Sequence, residues 1–537
     1  MALGDKKPRE PPPRPYDLVK PFDDVVLERD KDEFTPLKLL QEDTDTPTVP
    51  EYFQQHEEVK RREKALGFDH HCTREAEEWE VKANAVIQGL KKLDVTDVYD
   101  KEARIEGYAG QKHKRIPADR FLLNAPIIEK TRLYWAIQKM PKGAHLHIHF
   151  NANLLPEVLL NIAKDQDYMY IMSDIPLISK DAFERCHLKF SILSENNFKA
   201  AWPEPRWDLF TESNKADDQN ASGQPKHIML YKEFRTKFVQ NYTEAYKGDE
   251  KSLSKIVREK DPVDEYLTRK IVFQADEAYS PHQTAKGAWQ RFDSHTQMMK
   301  GLFNYRAAYE VYTLKCLEEF VNDKIQYAEI RPNFMENNQV WFNDGSDRID
   351  NYGIMDLIIG VYENFQKAHG GKVFTGLKII YCTPRSFKPD QVKFALDQCL
   401  EMKLDDKRNY AKYIAGFDLV GEEGAGHPLS YFIPQFLEFK DKCKKANVDI
   451  PFLFHCGETL DVGTETDGNL VDALLLGSKR IGHGFALAWH PYVMQQMKKQ
   501  NVCVEVCPIS NEILGLTPRI SGHTVYNMLA NDVSLVS

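Results

Sequence analysis

From Ile325 onward the chain repeats one unit, a short apolar run rich in β-branched and aromatic residues followed by a longer stretch with helical periodicity. The strand-like runs are IQYAEIRP (325–332), GLKIIYCTPR (376–385), YIAGFDLVGEE (413–423), PFLFHCGE (451–458), RIGHGFAL (480–487) and VCVEVCPISN (502–511). Between them lie segments such as GIMDLIIGVYENFQKAHG and PDQVKFALDQCLEMK. The earlier run GAHLHIHF (143–150) and the final VSLVS (533–537) bring the count to eight. Strands that are apolar along their whole length are covered on both faces, which parallel strands joined by helices achieve. The expected fold is therefore α/β, a TIM-type (β/α)8 barrel over residues 136–537 that lacks its last helix. A doubly wound open sheet is the runner-up, weakened because no G-x-G-x-x-G follows a strand.

The first two strands are separated by about 175 residues, far more than one βα connection needs. An insertion after strand 1 is expected, with a small subdomain at about 180–285 and then one helix, WQRFDSHTQMMKGLFNYRAAYEVYTLKCLEEFVND. Residues 1–50 are rich in Pro, Asp and Lys and read as a flexible tail. Residues 51–135 read as a charged helical extension, with Thr73 as the N-cap of its second helix and Glu75 and Glu77 in the first turn.

A chain of 537 residues with 42% hydrophobic content can bury a large core, and its net charge of −10 disfavours nucleic acid and anionic membranes as main partners. Nine scattered cysteines without a C-x-x-C pair describe reduced, mostly buried thiols. The N-terminus has no apolar signal region and no stretch reaches ~18 apolar residues. A cytoplasmic protein is expected, with secretion as the alternative. Asn220 and Asn241 match the glycosylation triplet, which matters only in a secreted chain.

A barrel places its active groups where strands end, on the C-terminal face. His147 and His149 end the first strand, Asp418 and Gly421 fall late in the fourth, His455 and Glu458 end the fifth, and His483 ends the sixth. With a period of two, His145, His147 and His149 share one face. Three imidazoles from two strands suit Zn²⁺ with one position left open. Glu458, three residues beyond His455, is placed to give or take a proton without occupying the metal.

In their order and spacing, LHIH, HCGE, RIGHG and VCPISN resemble the adenosine deaminase family. MPKGAHLHIH and GFDLVGEE resemble most its adenosine deaminase-related growth factor branch, and REKALGFDH and KANAVIQGLKKL resemble that branch's N-terminal dimerisation segment. The resemblance implies zinc on His147, His149 and His455, proton donation from Glu458 to purine N1, and orientation or deprotonation of the attacking water by His483. It further implies a Gly421 backbone hydrogen bond to the purine, substrate contacts at Asp418 and, near the ribose, at Asn151, and an N-terminal helical segment through which a homodimer would form. The substrate would be a small nucleoside, adenosine or 2'-deoxyadenosine, converted to inosine or deoxyinosine and ammonia. His145 lies outside the family motif, and Asn151 stands where much of the family has Asp.

The family closes its site with an aspartate pair after the eighth strand, whereas these residues stop at Ser537. Asp532 is about five residues earlier, some ~16 Å along a strand and toward the opposite rim. The expectation is a truncated or catalytically impaired chain. Two other readings stay open: a nucleoside-binding or growth-factor-like protein without turnover, and a zinc amidohydrolase acting on another amine.

Overall fold

The computed structural model describes residues 48–107, 109–203, 206–212, 227–332, 334–335 and 339–536. Nearly all of the expected tail, part of the polar stretch before His227, and Asn220 lie outside them. The first described helices are α1 (Val49–Ala65) and α2 (Glu78–Asp97). The Thr73 cap is corrected: Thr73 sits inside a short helix, His70–Glu75, with Oγ1 donating back to the Asp69 carbonyl at 2.9 Å. Ala76 is extended, and α2 starts from Glu77, whose backbone N–H donates to Glu80 Oε2 at 2.9 Å. A capping box built on two glutamates thus replaces the threonine. Tyr52, Phe53, Trp79 and Val86 stay exposed on these helices.

Eight parallel strands follow: β1 (Gly143–His149), β2 (Ile325–Arg331), β3 (Gly376–Pro384), β4 (Ile414–Val420), β5 (His455–Cys456), β6 (Arg480–His483), β7 (Cys503–Glu505) and β8 (Leu535–Val536). Ladders join β1 to β4 in sequence order and β5 to β8 in sequence order. The bridge between Phe417 and Phe452 links the two sets. This is the TIM-type order, and each strand delivers its last residues to the same rim. Several strands are shorter than the runs expected for them, the fifth and seventh most of all. Only His455–Cys456 of the fifth run and Cys503–Glu505 of the seventh form ladders, and Pro508, which has no N–H to donate, starts a helix instead.

Between β1 and β2 the chain makes a three-stranded antiparallel sheet with Met169–Ser173 at its centre, flanked by Leu188–Ile192 and His227–Leu230. The insertion thus has ordered structure before residue 180, where it was expected to start. Its helices bury Phe183, Phe238, Tyr242 and Tyr266 as one aromatic cluster. The single long helix expected next is two, α3 (Ala285–Phe303) and α4 (Arg306–Asn322). Tyr305 is extended there because the loop at Trp341 pairs with it, Trp341 N–H donating to the Asn304 carbonyl at 3.0 Å.

The remaining crossovers are α5 (Asn351–His369), α6 (Pro389–Leu404), α7 (Ile433–Lys445), α8 (Asn469–Leu475), α9 (Pro491–Lys499) and, between β7 and β8, α10 (Pro508–Ile513) and α11 (Val525–Ala530). α5 shows why they form where they do. Asp350 caps its start by accepting from Gly353 N–H at 2.8 Å, and Gly370 ends it with φ of 64°. Ile354, Ile358 and Phe365 between those caps fall on one face and are buried in the barrel core. Burial of each such side chain contributes about 1.5–3 kcal/mol.

Candidate functional site

The rim is built on a departure from regular strand geometry. In β1 His145 lies opposite Ala328 and Ile148 opposite Ile330, so β1 carries one extra residue against β2. This bulge breaks the alternation that would have put three histidines on one face. His145 turns to Phe320 of α4, with ring centroids 6.5 Å apart. His147 and His149 turn inward to His455.

The three inward imidazoles form a compact set whose ligand atoms lie within 4.8 Å of one another. Nε2 of His149 is 3.0 Å from Nε2 of His455, and Nε2 of His147 is buried with no hydrogen-bond partner. Two imidazole nitrogens at that distance need a proton or a cation between them, and a buried orphan nitrogen beside them is a third lone pair. The outer nitrogens are already held: His147 Nδ1 by Glu505 Oε2 at 2.8 Å, and His455 Nδ1 by Asp418 Oδ2 at 2.7 Å. Carboxylates behind ligand imidazoles are the usual support of a metal centre, so the residues fit a zinc ion. Burial, then the neighbouring His455, lowers the pKa of His149 to about 3, and burial likewise pushes His147 well down. Both rings are thereby kept neutral, the form that binds metal.

Behind this ring stands Arg331, which no motif had marked. It is fully buried at the end of β2, donating to Asp418 Oδ2 at 2.9 Å, to Glu505 Oε2 at 2.8 Å and to the Leu146 carbonyl at 3.0 Å. Asp418 is placed here too, with Oδ1 accepting from the backbone of His455 at 2.9 Å. Its expected role as a substrate contact therefore gives way to that of a support for His455. Arg331 and Glu505 did carry a sequence signal, since each is a charge within an otherwise apolar strand run, and buried charges are paired or functional.

Glu458 and His483 complete the inner rim. Burial, reinforced by the charge of Glu423, raises the pKa of Glu458 well above its ordinary value of 4.5, which favours the protonated form of its carboxyl. Glu423 clamps the turn, accepting from the backbones of Gly457 at 3.0 Å and Glu458 at 2.6 Å. The Glu458 Oε1 atom lies 3.1 Å from Nδ1 of His483, whose pKa is driven well down by burial and then by His455. Gly421, just past β4, has φ of 106°, which a side-chain-bearing residue resists. Cys507 offers its thiol to a second cluster with His147 and His483.

A cavity of about 340 Å³ opens over the ends of β1, β2 and β3. Asn151, Pro332 and Pro384 bound it from the strand ends, and Asp293, Gln297 and Lys300 from one face of α3. Burial raises the pKa of Asp293 and lowers that of Lys300, so this wall carries two partly desolvated, ionisable groups.

Residues 271–536 match the family described as adenosine deaminase. Adenosine deaminase 2 from Sus scrofa is 28% identical over 467 residues, covering 86% of this chain and 76% of that protein. Adenosine deaminase 2 from Homo sapiens is 29% identical over 430 residues, covering 78% and 70%. Among solved structures, the Arabidopsis N6-mAMP deaminase aligns with a TM-score of 0.44 and 15% identity, over 75% of this chain and 82% of that one.

Proposed function

We propose, from the premise that this chain belongs to the adenosine deaminase family, that it is a zinc-dependent hydrolase converting adenosine and 2'-deoxyadenosine to the inosine product and ammonia. The observation that carries the reading is a buried carboxyl, Glu458, whose surroundings favour its protonated form, beside a cluster of imidazoles on one barrel rim. When bound by His147, His149 and His455, zinc supplies Lewis acidity, which lets water act as a nucleophile at neutral pH. Glu458 gives its proton to purine N1, which draws electrons from C6 and readies it for attack. His483 holds the attacking oxygen; as the C6–O bond forms, the C6–N1 π pair moves onto N1, which has taken the Glu458 proton. One proton of the water then passes to the amino nitrogen and the other returns to Glu458, so that the C6–N bond breaks to release ammonia and leave the C6 carbonyl of inosine. Gly421 offers its backbone N–H to the purine where a side chain would not be tolerated, and Asn151 meets the sugar at the cavity wall. Nine free thiols, six of them buried, suit a reducing compartment.

Conversion is followed by the ultraviolet difference between adenosine and inosine, with zinc content measured in parallel. Dialysis against dipicolinate is expected to abolish turnover, and one equivalent of Zn²⁺ to restore it. Turnover that survives complete metal removal overturns the reading. Asn151→Ala is expected to raise KM roughly fivefold with kcat within about twofold, the worth of one neutral hydrogen bond. A larger fall in kcat than rise in KM would move Asn151 into the chemistry.

A further inference from the structure

A chain of hydrogen bonds with one end fixed by the backbone determines which nitrogen of His483 carries its proton. The N–H of Val525, the first residue of α11, has no partner within its own helix and can only donate. It donates to Nδ1 of His523 at 2.9 Å. A neutral imidazole that accepts at Nδ1 carries its proton on Nε2. That N–H meets Oδ1 of Asn511 at 2.8 Å, which leaves the Asn511 amide NH₂ facing Nδ1 of His483 at 3.0 Å. An amide nitrogen donates and does not accept, so Nδ1 of His483 is the acceptor and the imidazole proton sits on Nε2.

We infer that Asn511 and His523 are positioning residues that hold His483 as the Nε2–H tautomer, so that His483 serves as a hydrogen-bond donor to the attacking oxygen and not as its base. Oε1 of Glu458 also lies 3.1 Å from this Nδ1 and can bond a bare nitrogen only as a protonated carboxyl; the tautomer therefore stands on the direction fixed by the Val525–His523–Asn511 relay, while its role in attack rests on the proposed deamination. His483, Asn511 and His523 are 3%, 0% and 2% exposed, so water does not compete for these bonds. The backbone of His483 is held at φ of 63°, a left-handed conformation that a residue with a Cβ adopts only where its surroundings impose it. The relay also decides between the two metal-capable clusters. With Nδ1 engaged and Nε2 protonated, His483 has no lone pair for a cation, so the set containing Cys507 is not a second metal site.

The test is ¹⁵N NMR of the zinc-loaded protein labelled at histidine, the His483 signals being those lost in His483→Gln. A bare, pyridine-type Nδ1 with a protonated Nε2 is expected, and a protonated Nδ1 overturns the inference. Kinetics supply the second readout. Asn511→Asp has the same shape but offers only acceptors, so it favours a protonated Nδ1 on His483 that donates to it and reverses the tautomer. It is expected to lose roughly a hundredfold in kcat with KM within about threefold, and to change the pH profile. His523→Gln keeps a donor to Asn511 and is expected to stay within about threefold of the parent, whereas His523→Leu loses about tenfold. Parent-like kinetics in Asn511→Asp, or equal losses in both His523 variants, overturn the inference. If Asn511→Asp does not fold, the parent resonances and the His523 pair still decide. A parent protein that deaminates no adenine nucleoside ends the proposed function, yet leaves the NMR result to judge the tautomer.

Discussion

Glu458→Gln is expected to lower kcat about a thousandfold while leaving zinc content unchanged, the mid-range of what a positioned general acid contributes. That loss corresponds to about 4 kcal/mol of transition-state stabilisation. Gln keeps the shape and the ability to donate a hydrogen bond but has no proton to transfer to purine N1, so binding should persist while the chemical step fails. A KM within about threefold of the parent is therefore part of the expectation. Parent-like kcat in Glu458→Gln would remove Glu458 from the reaction.

The same substitution has a stability signature of opposite direction. The folded protein raises the Glu458 pKa through burial and the charge of Glu423, so above the unfolded value of about 4.5 the folded state holds a proton that the unfolded state releases. The stability of the parent thus falls as pH rises from 4.5 toward the raised value, and Glu458→Gln is free of that fall. Thermal unfolding of metal-free protein should show Glu458→Gln gaining on the parent between pH 5 and pH 7.5. A constant difference across that range would mean that Glu458 is ionised in the fold. Activity and stability then move apart, which a merely damaged fold cannot produce.

The barrel order and the rim were legible in the sequence because both depend on local pattern. Apolar runs mark strands buried on two faces, and LHIH, HCGE and RIGHG put His147, His149, His455, Glu458 and His483 at strand ends, where the structure has them. The bulge in β1 was not legible, since it depends on how β1 registers against β2 and not on β1 itself. His145 was grouped with its neighbours for that reason. Arg331 and Glu505 are 174 residues apart in sequence, and no spacing rule brings them together. The same holds for His523, whose part depends on an N–H at the start of α11. The residues assigned to metal and substrate sat in recognisable motifs, whereas those that hold them in place are joined only by the fold.

Arg331→Leu is expected to cost about 3–5 kcal/mol of folding stability and to weaken zinc binding some 10–100-fold, although Arg331 touches neither metal nor substrate. Its guanidinium lies between Asp418 and Glu505, the carboxylates that hold His455 and His147, and all of these charges are shut away from water. Leucine fills part of the volume but leaves the buried Asp418 without its cation and Glu505 with Arg480 alone. Burial alone would push the Asp418 pKa up, yet His455 and Arg331 hold it well below its ordinary value of 3.8. Asp418 therefore contributes stability that is present above that value and is lost only when the pH falls well below it. In Arg331→Leu the depression shrinks, so acid unfolding of the metal-free protein should begin at higher pH than in the parent. A protonated Asp418 also grips its imidazole less well, so zinc affinity measured by chelator competition should fall with it. Arg331→Lys should recover only part of either loss, because a single ammonium cannot fork between two carboxylates. Full recovery by lysine would show that the charge at this position matters and the fork does not. Unchanged zinc affinity in Arg331→Leu would instead separate the ion-pair network from the metal ring and make Arg331 a fold residue alone.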